Sequence, residues 1–315
     1  MGDTCLVTGA GGFLGSALCG RLLAAGYAVR GLDLRFPPEE ERQSERLQGD
    51  VTDAGLLAQG CKGASFVFHL AALLPQRNAP PEEMRRVNVE GARAVLQAAA
   101  EAGVRRLVLI SSAEVYGVPR QIPCPETAPL SPIGEYGRNK VEAERLAREA
   151  MDGGLPVVIL RPPTIVGPGM PEKFLRGTLA ALRRGRVIFV PGGRIRFQMV
   201  AVSDAAEACL LAATVPGAAG GTFNIGSDNV PTLLEMTRRL KLRLGSRSPI
   251  VPVPPALARW VFRLLLAIGR SPLEPEHVRI AFSDYVFDNA RAKQVLGWQP
   301  SLDNVEALAQ AAAAR

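Results

Sequence analysis

The run Thr8-Gly9-Ala10-Gly11-Gly12-Phe13-Leu14-Gly15 constrains this 315-residue chain more than any other segment. It follows a short apolar run, Thr4–Thr8, and precedes apolar residues at helical spacing over Phe13–Ala25. A second apolar run, Tyr27–Leu32, ends at Asp33. Strand, glycine turn, helix and strand in that order make a βαβ unit, which requires a parallel sheet. In such a turn the glycines let a pyrophosphate approach the backbone, and the helix start offers N–H donors and the positive end of its dipole. Gly9, Gly11, Gly12, Phe13, Leu14 and Gly15 are therefore candidate dinucleotide contacts. Asp33 supplies a carboxylate that can accept both ribose hydroxyls and would repel a 2′-phosphate, which favours NAD. Arg35, two residues on, carries the charge to pair with that phosphate, so NADP stays open.

The alternation continues. Phe66–Leu70, Arg106–Ile110 and Leu155–Leu160 read as further strands, with helices at Glu82–Ala102 and Tyr136–Met151, the latter ended by Gly153-Gly154. The unbroken apolar run at 155–160 suits a central parallel strand buried on both faces. The expected fold is α/β, a doubly wound parallel sheet. After Arg161, prolines and glycines become dense and the pattern irregular. We expect a dinucleotide-binding domain over 1–162, with returning segments near 197–226 (Ala201–Val215 and Thr222–Ile225), and a smaller, discontinuous substrate lobe over 163–315.

Composition excludes several classes. Hydrophobic residues make up 47 % and charged residues 21 %, enough for a large core and unlike a disordered chain. Cys5, Cys19, Cys61, Cys124 and Cys209 are widely spaced with no C-x-x-C, and the only histidines are His69 and His277. No metal site is expected, and the reading is a reducing, cytoplasmic compartment. The start, MGDTCLVTG, lacks the pattern of a signal peptide. No apolar stretch reaches the length of a membrane span; the nearest, Leu257–Ile268, is broken by Arg259 and Arg263. Net charge is +7, but the arginines are scattered rather than striped, which reads as a solvated surface and not a nucleic-acid face; the charge can also help to attract an anionic ligand. Within Pro254–Pro272, Leu257, Trp260, Val261, Leu264, Leu265 and Ile268 recur at roughly helical spacing. Core, the wall of an apolar pocket, and a face touching a membrane surface all fit that pattern.

Tyr136-Gly137-Arg138-Asn139-Lys140 sets a tyrosine and a lysine one turn apart on a helix face. A tyrosine titrating near 10 is a poor base at neutral pH; a nearby ammonium favours the phenolate and is expected to lower that value. The pair can then take a proton from an alcohol or return one to a ketone. Ser112, just after the strand ending at Ile110, can hold the substrate oxygen against Tyr136. Asp50, in GDVTD, suits either a hydrogen bond to the adenine amino group or a helix N-cap region.

These segments, with HLAA at 69–72, NVEG at 88–91, SSAEVYG at 111–117, RPPTIVGPG at 161–169, FNIGS at 223–227 and LGWQP at 296–300, resemble the extended short-chain dehydrogenase/reductases, the NAD-dependent epimerase/dehydratase group. The resemblance spans nearly the whole chain. It implies an NAD(P)-dependent oxidoreductase, a Ser112–Tyr136–Lys140 triad, a small-molecule substrate and a homodimer. It places Asp50, Val51, Leu70, Ala71, Ala72, Asn88, Ile110 and Pro162 around the cofactor, together with Tyr136 and Lys140, and puts His69 in the cofactor-side loop. Asn88 also suits a helix-capping role. Ser112, Ala113, Glu114, Tyr136, Thr164 and Arg196 fall on the substrate side.

Three departures bear on the substrate. Nucleotide-sugar members of the family often carry Asn where this chain has Thr164, and an arginine where it has Phe197; Arg196 would recover the role only if the strand bulges. Ala113 stands where sugar dehydratases use an aspartic acid. The character is nearest to the hydroxysteroid-dehydrogenase and dihydroflavonol-reductase-like branch. The expected reaction is reversible hydride transfer at a secondary alcohol or ketone carbon. The alternatives are a UDP-sugar 4-epimerase with tightly bound NAD and a non-catalytic NAD(P)-binding protein.

Overall fold

The computed structural model describes residues 3–36, 45–75, 79–191, 193–269 and 275–313. The chain runs β1 (Thr4–Thr8), α1 (Phe13–Ala24), β2 (Ala28–Asp33), β3 (Glu45–Gln48), α2 (Ala54–Cys61), β4 (Phe66–His69), α3 (Pro81–Arg85), α4 (Gly91–Glu101), β5 (Arg106–Ile110), α5 (Glu135–Asp152) and β6 (Val157–Arg161). It continues through β7 (Thr164–Val166), α6 (Lys173–Arg183), β8 (Ile188–Pro191), β9 (Met199–Ala201), α7 (Val202–Thr214), β10 (Thr222–Asn224), α8 (Leu233–Arg243), β11 (Ile250–Val253), α9 (Pro255–Ala267), α10 (Pro275–Ala281), α11 (Ala290–Leu296) and α12 (Asn304–Ala313).

Seven strands form one parallel sheet in the order β10-β6-β5-β4-β1-β2-β3. Side chains alternate along each strand, so each strand feeds two cores. Cys5, Val7, Phe68, Val108 and Val158 face α1 and α7, whereas Leu6, Val67, Leu107, Val157 and Ile159 face α2, α4 and α5. This is why the strands read as unbroken apolar runs. The predicted elements are found with shifts of one or two residues; the strand expected over 155–160 is β6, beginning after Pro156. The single helix expected over 82–102 is helical throughout but passes through a wider π turn at Arg86–Glu90 between α3 and α4.

β10 pairs with β6, and α7 packs on α1. Two smaller parallel pairs, β7 with β9 and β8 with β11, share a further apolar cluster with α6, α8 and α12. Residues 270–272, the end of the apolar segment singled out above, lie outside the described residues.

Candidate active site

The glycine turn sits between the C-terminal ends of β1 and β4. Gly9 has φ +74°, and a Cβ there would lie 2.8 Å from the Ala71 backbone nitrogen. Any side chain would push the two loops apart. At Gly15 a Cβ would run into the Gly9 carbonyl, so only glycine lets α1 start this close to the turn. Gly12 is the N-cap residue; no side chain caps α1 and no acid lies in its first turn. The Asp33 carboxylate accepts from Gly11 N at 3.0 Å and from Arg35 N at 3.2 Å. An uncapped helix start, glycines without room for a side chain and an acid at the end of β2 fit a dinucleotide.

The surrounding loops are tied down by buried polar groups. Asn88 accepts from Leu73 N at 2.7 Å and donates to Leu73 O at 3.0 Å, clamping the loop that holds Leu70, Ala71 and Ala72. It therefore does not cap a helix. The Thr8 hydroxyl and His69 Nδ1 lie 2.8 Å apart; burial, helped by the charge of Lys140, pulls the His69 imidazole down to about 3. Asp50 accepts from Thr52 N and Oγ1 at 2.9 and 2.8 Å and pairs with Arg86 at 3.0 Å, while Asp53 caps α2 instead. Val51 packs under Gly91. The Pro162 carbonyl accepts from Ala113 N at 2.9 Å, fixing the start of the short turn at Ala113–Tyr116.

Ser112, Tyr136 and Lys140 are brought together at the C-terminal end of β5. Ser112 precedes that turn, its Oγ accepting from Glu114 N at 3.1 Å. Tyr136 and Lys140 share one face of α5, with the Lys140 nitrogen 5.7 Å from the tyrosine ring centroid. Lys140 donates to the Ile110 carbonyl at 2.8 Å. Burial pulls its ammonium down to about 8, while Glu144 and Glu114 work to keep it charged. Burial and then Glu114 push the Tyr136 phenol well above its ordinary value, and only the Ser112 hydrogen bond works the other way. The direction is opposite to that expected from the motif, because desolvation and the Glu114 charge dominate at the phenol.

Of the residues expected on the substrate side, Thr164 lies in β7 and Ala113 is fully buried. Arg196 is already engaged: its Nε and Nη2 reach Asp284 at 3.2 and 2.8 Å, and Asp284 also accepts from Arg196 N. Phe197 stacks on Tyr285 instead of presenting a charge.

The motifs missed a polar network directly behind the triad. Glu144, fully buried one turn after Lys140, receives Arg161 Nε and Nη2 at 2.8 and 2.6 Å and Ser111 Oγ at 2.6 Å. Arg161 also donates to Tyr116 Oη at 2.6 Å, and that hydroxyl reaches Asn224 at 2.7 Å. Burial works to raise Glu144, yet the Arg161 hydrogen bonds and charge hold it below its ordinary range. The signal was the helical spacing Tyr136, Lys140, Glu144; reading it as structure needs the tertiary partner Arg161. Among the described residues no cluster of side chains could hold a metal ion.

A twisted parallel sheet with a dinucleotide turn and a Ser, Tyr and Lys at one strand end defines a class of nucleotide-dependent oxidoreductases and their epimerase relatives. The model of the NAD dependent epimerase/dehydratase family matches residues 5–226, and the chain belongs to that family. It is 32 % identical to a UDP-glucose 4-epimerase of Mycolicibacterium smegmatis over 97 % of this chain and 96 % of that protein. It is 33 % identical to a 3 beta-hydroxysteroid dehydrogenase/Delta 5→4-isomerase of Mycobacterium tuberculosis over 97 % and 88 %. Among solved structures, MoeE5 in complex with UDP-glucose and NAD aligns with a TM-score of 0.78 at 30 % identity, covering 99 % of this chain and 98 % of that one. The chain is thus an enzyme of the extended short-chain dehydrogenase/reductase type, and the comparisons reach both the epimerase and the hydroxysteroid-dehydrogenase branches.

Proposed function

We propose that this enzyme catalyses net, reversible hydride transfer between NAD and a secondary alcohol or ketone carbon of a small molecule lacking a nucleoside diphosphate. The site carries the first half of this reading. Gly9–Gly15 and the α1 start would receive the pyrophosphate, and Asp33 the adenosine ribose. When bound, the nicotinamide accepts or donates the hydride. The Ser112 hydroxyl holds the substrate oxygen, and Tyr136 exchanges its proton with that oxygen. Lys140, anchored on Ile110 O, keeps an ammonium beside Tyr136 at neutral pH and offers donors to the nicotinamide ribose. Glu114 lies on the substrate side of the same turn. Asp33 facing Gly11 supports NAD over NADP, because a 2′-phosphate there would meet the carboxylate.

The observation that carries the substrate half is the Arg196–Asp284 pair. A strand arginine free to grip a diphosphate would favour a nucleotide sugar; here Arg196 is neutralised by a carboxylate and Phe197 faces Tyr285. The competing reading, a UDP-sugar epimerase, is favoured by the names of the M. smegmatis relative and of the MoeE5 complex. The homodimer, the cytoplasmic location and the division at about residue 162 between cofactor and substrate lobes belong to the same proposal.

Mass spectrometry of dinucleotide released from freshly purified, denatured protein separates the readings. A site that exchanges freely with added NAD is expected; near-stoichiometric NAD surviving gel filtration would favour the internal redox cycle of an epimerase, and released NADP would overturn the reading of Asp33. Tyr136→Phe should lower kcat by about a thousandfold while leaving dinucleotide affinity within about twofold. Full turnover by that variant would remove Tyr136 from the chemistry.

A further inference from the structure

Helix α9 is turned the wrong way round for a core helix. Its side at Ala258, Phe262 and Leu265 faces the protein, with Phe262 edge-on to Phe282 at 5.7 Å and Arg259 over the same ring. The opposite side presents Leu257, Trp260, Val261, Leu264 and Ile268, between 38 and 62 % exposed. At 100° per residue these five make one continuous apolar stripe about 100° wide. Arg259 and Arg263 border it on one side, both exposed, and no carboxylate pairs with either among the described residues. The charge pattern extends beyond the helix: from Met236 to Leu273 the sequence has eight Lys and Arg and no Asp or Glu.

We propose that α9 docks this enzyme on an anionic lipid bilayer, laying its apolar stripe into the headgroup boundary. The chemistry selects that occupant. A tryptophan at the edge of a leucine stripe suits the boundary between hydrocarbon and headgroups, and flanking arginines keep their charged ends at phosphate level while their stems stay apolar. A second copy of the chain suits the stripe less well, because a two-fold contact would set Arg259 and Arg263 against their own equivalents, and no carboxylate pairs with them among the described residues. No described helix is long and apolar enough to span a membrane, so the association is peripheral and reversible. The inference goes beyond the proposed reaction and does not depend on it.

The full chain is floated with vesicles of phosphatidylcholine alone and of phosphatidylcholine with about one quarter phosphatidylglycerol. Flotation with the anionic vesicles only is expected, falling steeply as salt is raised from about 0.05 to about 0.5 M. Trp298 is 1 % exposed and bonded to Asp204 O, so a blue shift of tryptophan emission on adding vesicles reports on Trp260. Leu257→Glu with Leu264→Glu should weaken partitioning by about a hundredfold or more, with NAD affinity and circular dichroism unchanged. Arg263→Glu, which leaves the stripe intact, should weaken it by about tenfold. Absence of flotation with anionic vesicles overturns the proposal. So does flotation that both variants leave untouched, or a dimer by sedimentation that the double variant splits without any lipid binding.

Discussion

His69 shows how a single buried group sets a pH limit on the whole structure. Its imidazole, against Thr8 between β1 and β4, is held down to about 3, with burial the larger cause and the Lys140 charge the smaller. In the unfolded chain it would titrate near its ordinary value of about 6.5. The unfolded state therefore binds the proton first, and the stability associated with neutral His69 is complete above about 6.5 and is lost as pH falls towards 3. Urea unfolding of the wild type should lose more stability between pH 7 and 4 than that of His69→Gln, by an amount on the order of a few kcal/mol. Parallel curves would show that the imidazole is not coupled to folding. The same neutrality removes His69, the last residue of β4 and not a loop residue, as a proton carrier at the site.

At the scale of elements, α5 is held by more than its apolar face. Glu144 ties it to β6 through Arg161 and to the end of β5 through Ser111, one residue before Ser112. Cutting a buried pair leaves a charge without a partner, which costs about 3–5 kcal/mol, whereas removing both partners costs less. Arg148 and Ser111 still bond Glu144 when Arg161 is removed, so Arg161→Met should lower unfolding free energy by less than that amount, and adding Glu144→Gln should recover part of it in a double-mutant cycle. Purely additive losses would mean that the two groups do not act as a pair. The turn and the Y-x-x-x-K spacing were legible in the sequence because each is local, fixed by residues within a turn of one another. Glu144, Arg161 and the Arg196–Asp284 pair were not, because their meaning lies in partners 17 and 88 residues away. Tyr136 shows the same limit from another side: the motif gives its neighbours, but the desolvation that dominates its pKa is a property of the folded surroundings.

Across the whole molecule, packing is uneven. The seven-stranded sheet is covered on both faces by buried side chains, whereas α9 buries Ala258 alone and β11 has no fully buried residue. Amide exchange should follow that contrast, with protection in β1, β4 and β5 near the global limit and Ile250–Ile268 opening at least about a hundredfold more often. Equal protection in both regions would contradict it. The sheet half could be read from the sequence for the same reason, since periodic burial leaves a periodic pattern. The second half, with short strands and proline-rich connections, leaves none.

β10 carries a consequence for the chain as it is being made. The sheet gains its last strand only when residues 222–224 arrive, more than sixty positions after β6, which they cover. Until then a nascent chain that has folded its first 161 residues offers β6 as an open hydrogen-bonding edge, apolar on both sides, next to identical chains on neighbouring ribosomes. At about 5–20 residues per second that exposure lasts several seconds. The interval after β6 is thus the stage of synthesis at which this enzyme most needs a chaperone, and fragments that stop short of Phe223 are the ones most prone to aggregate.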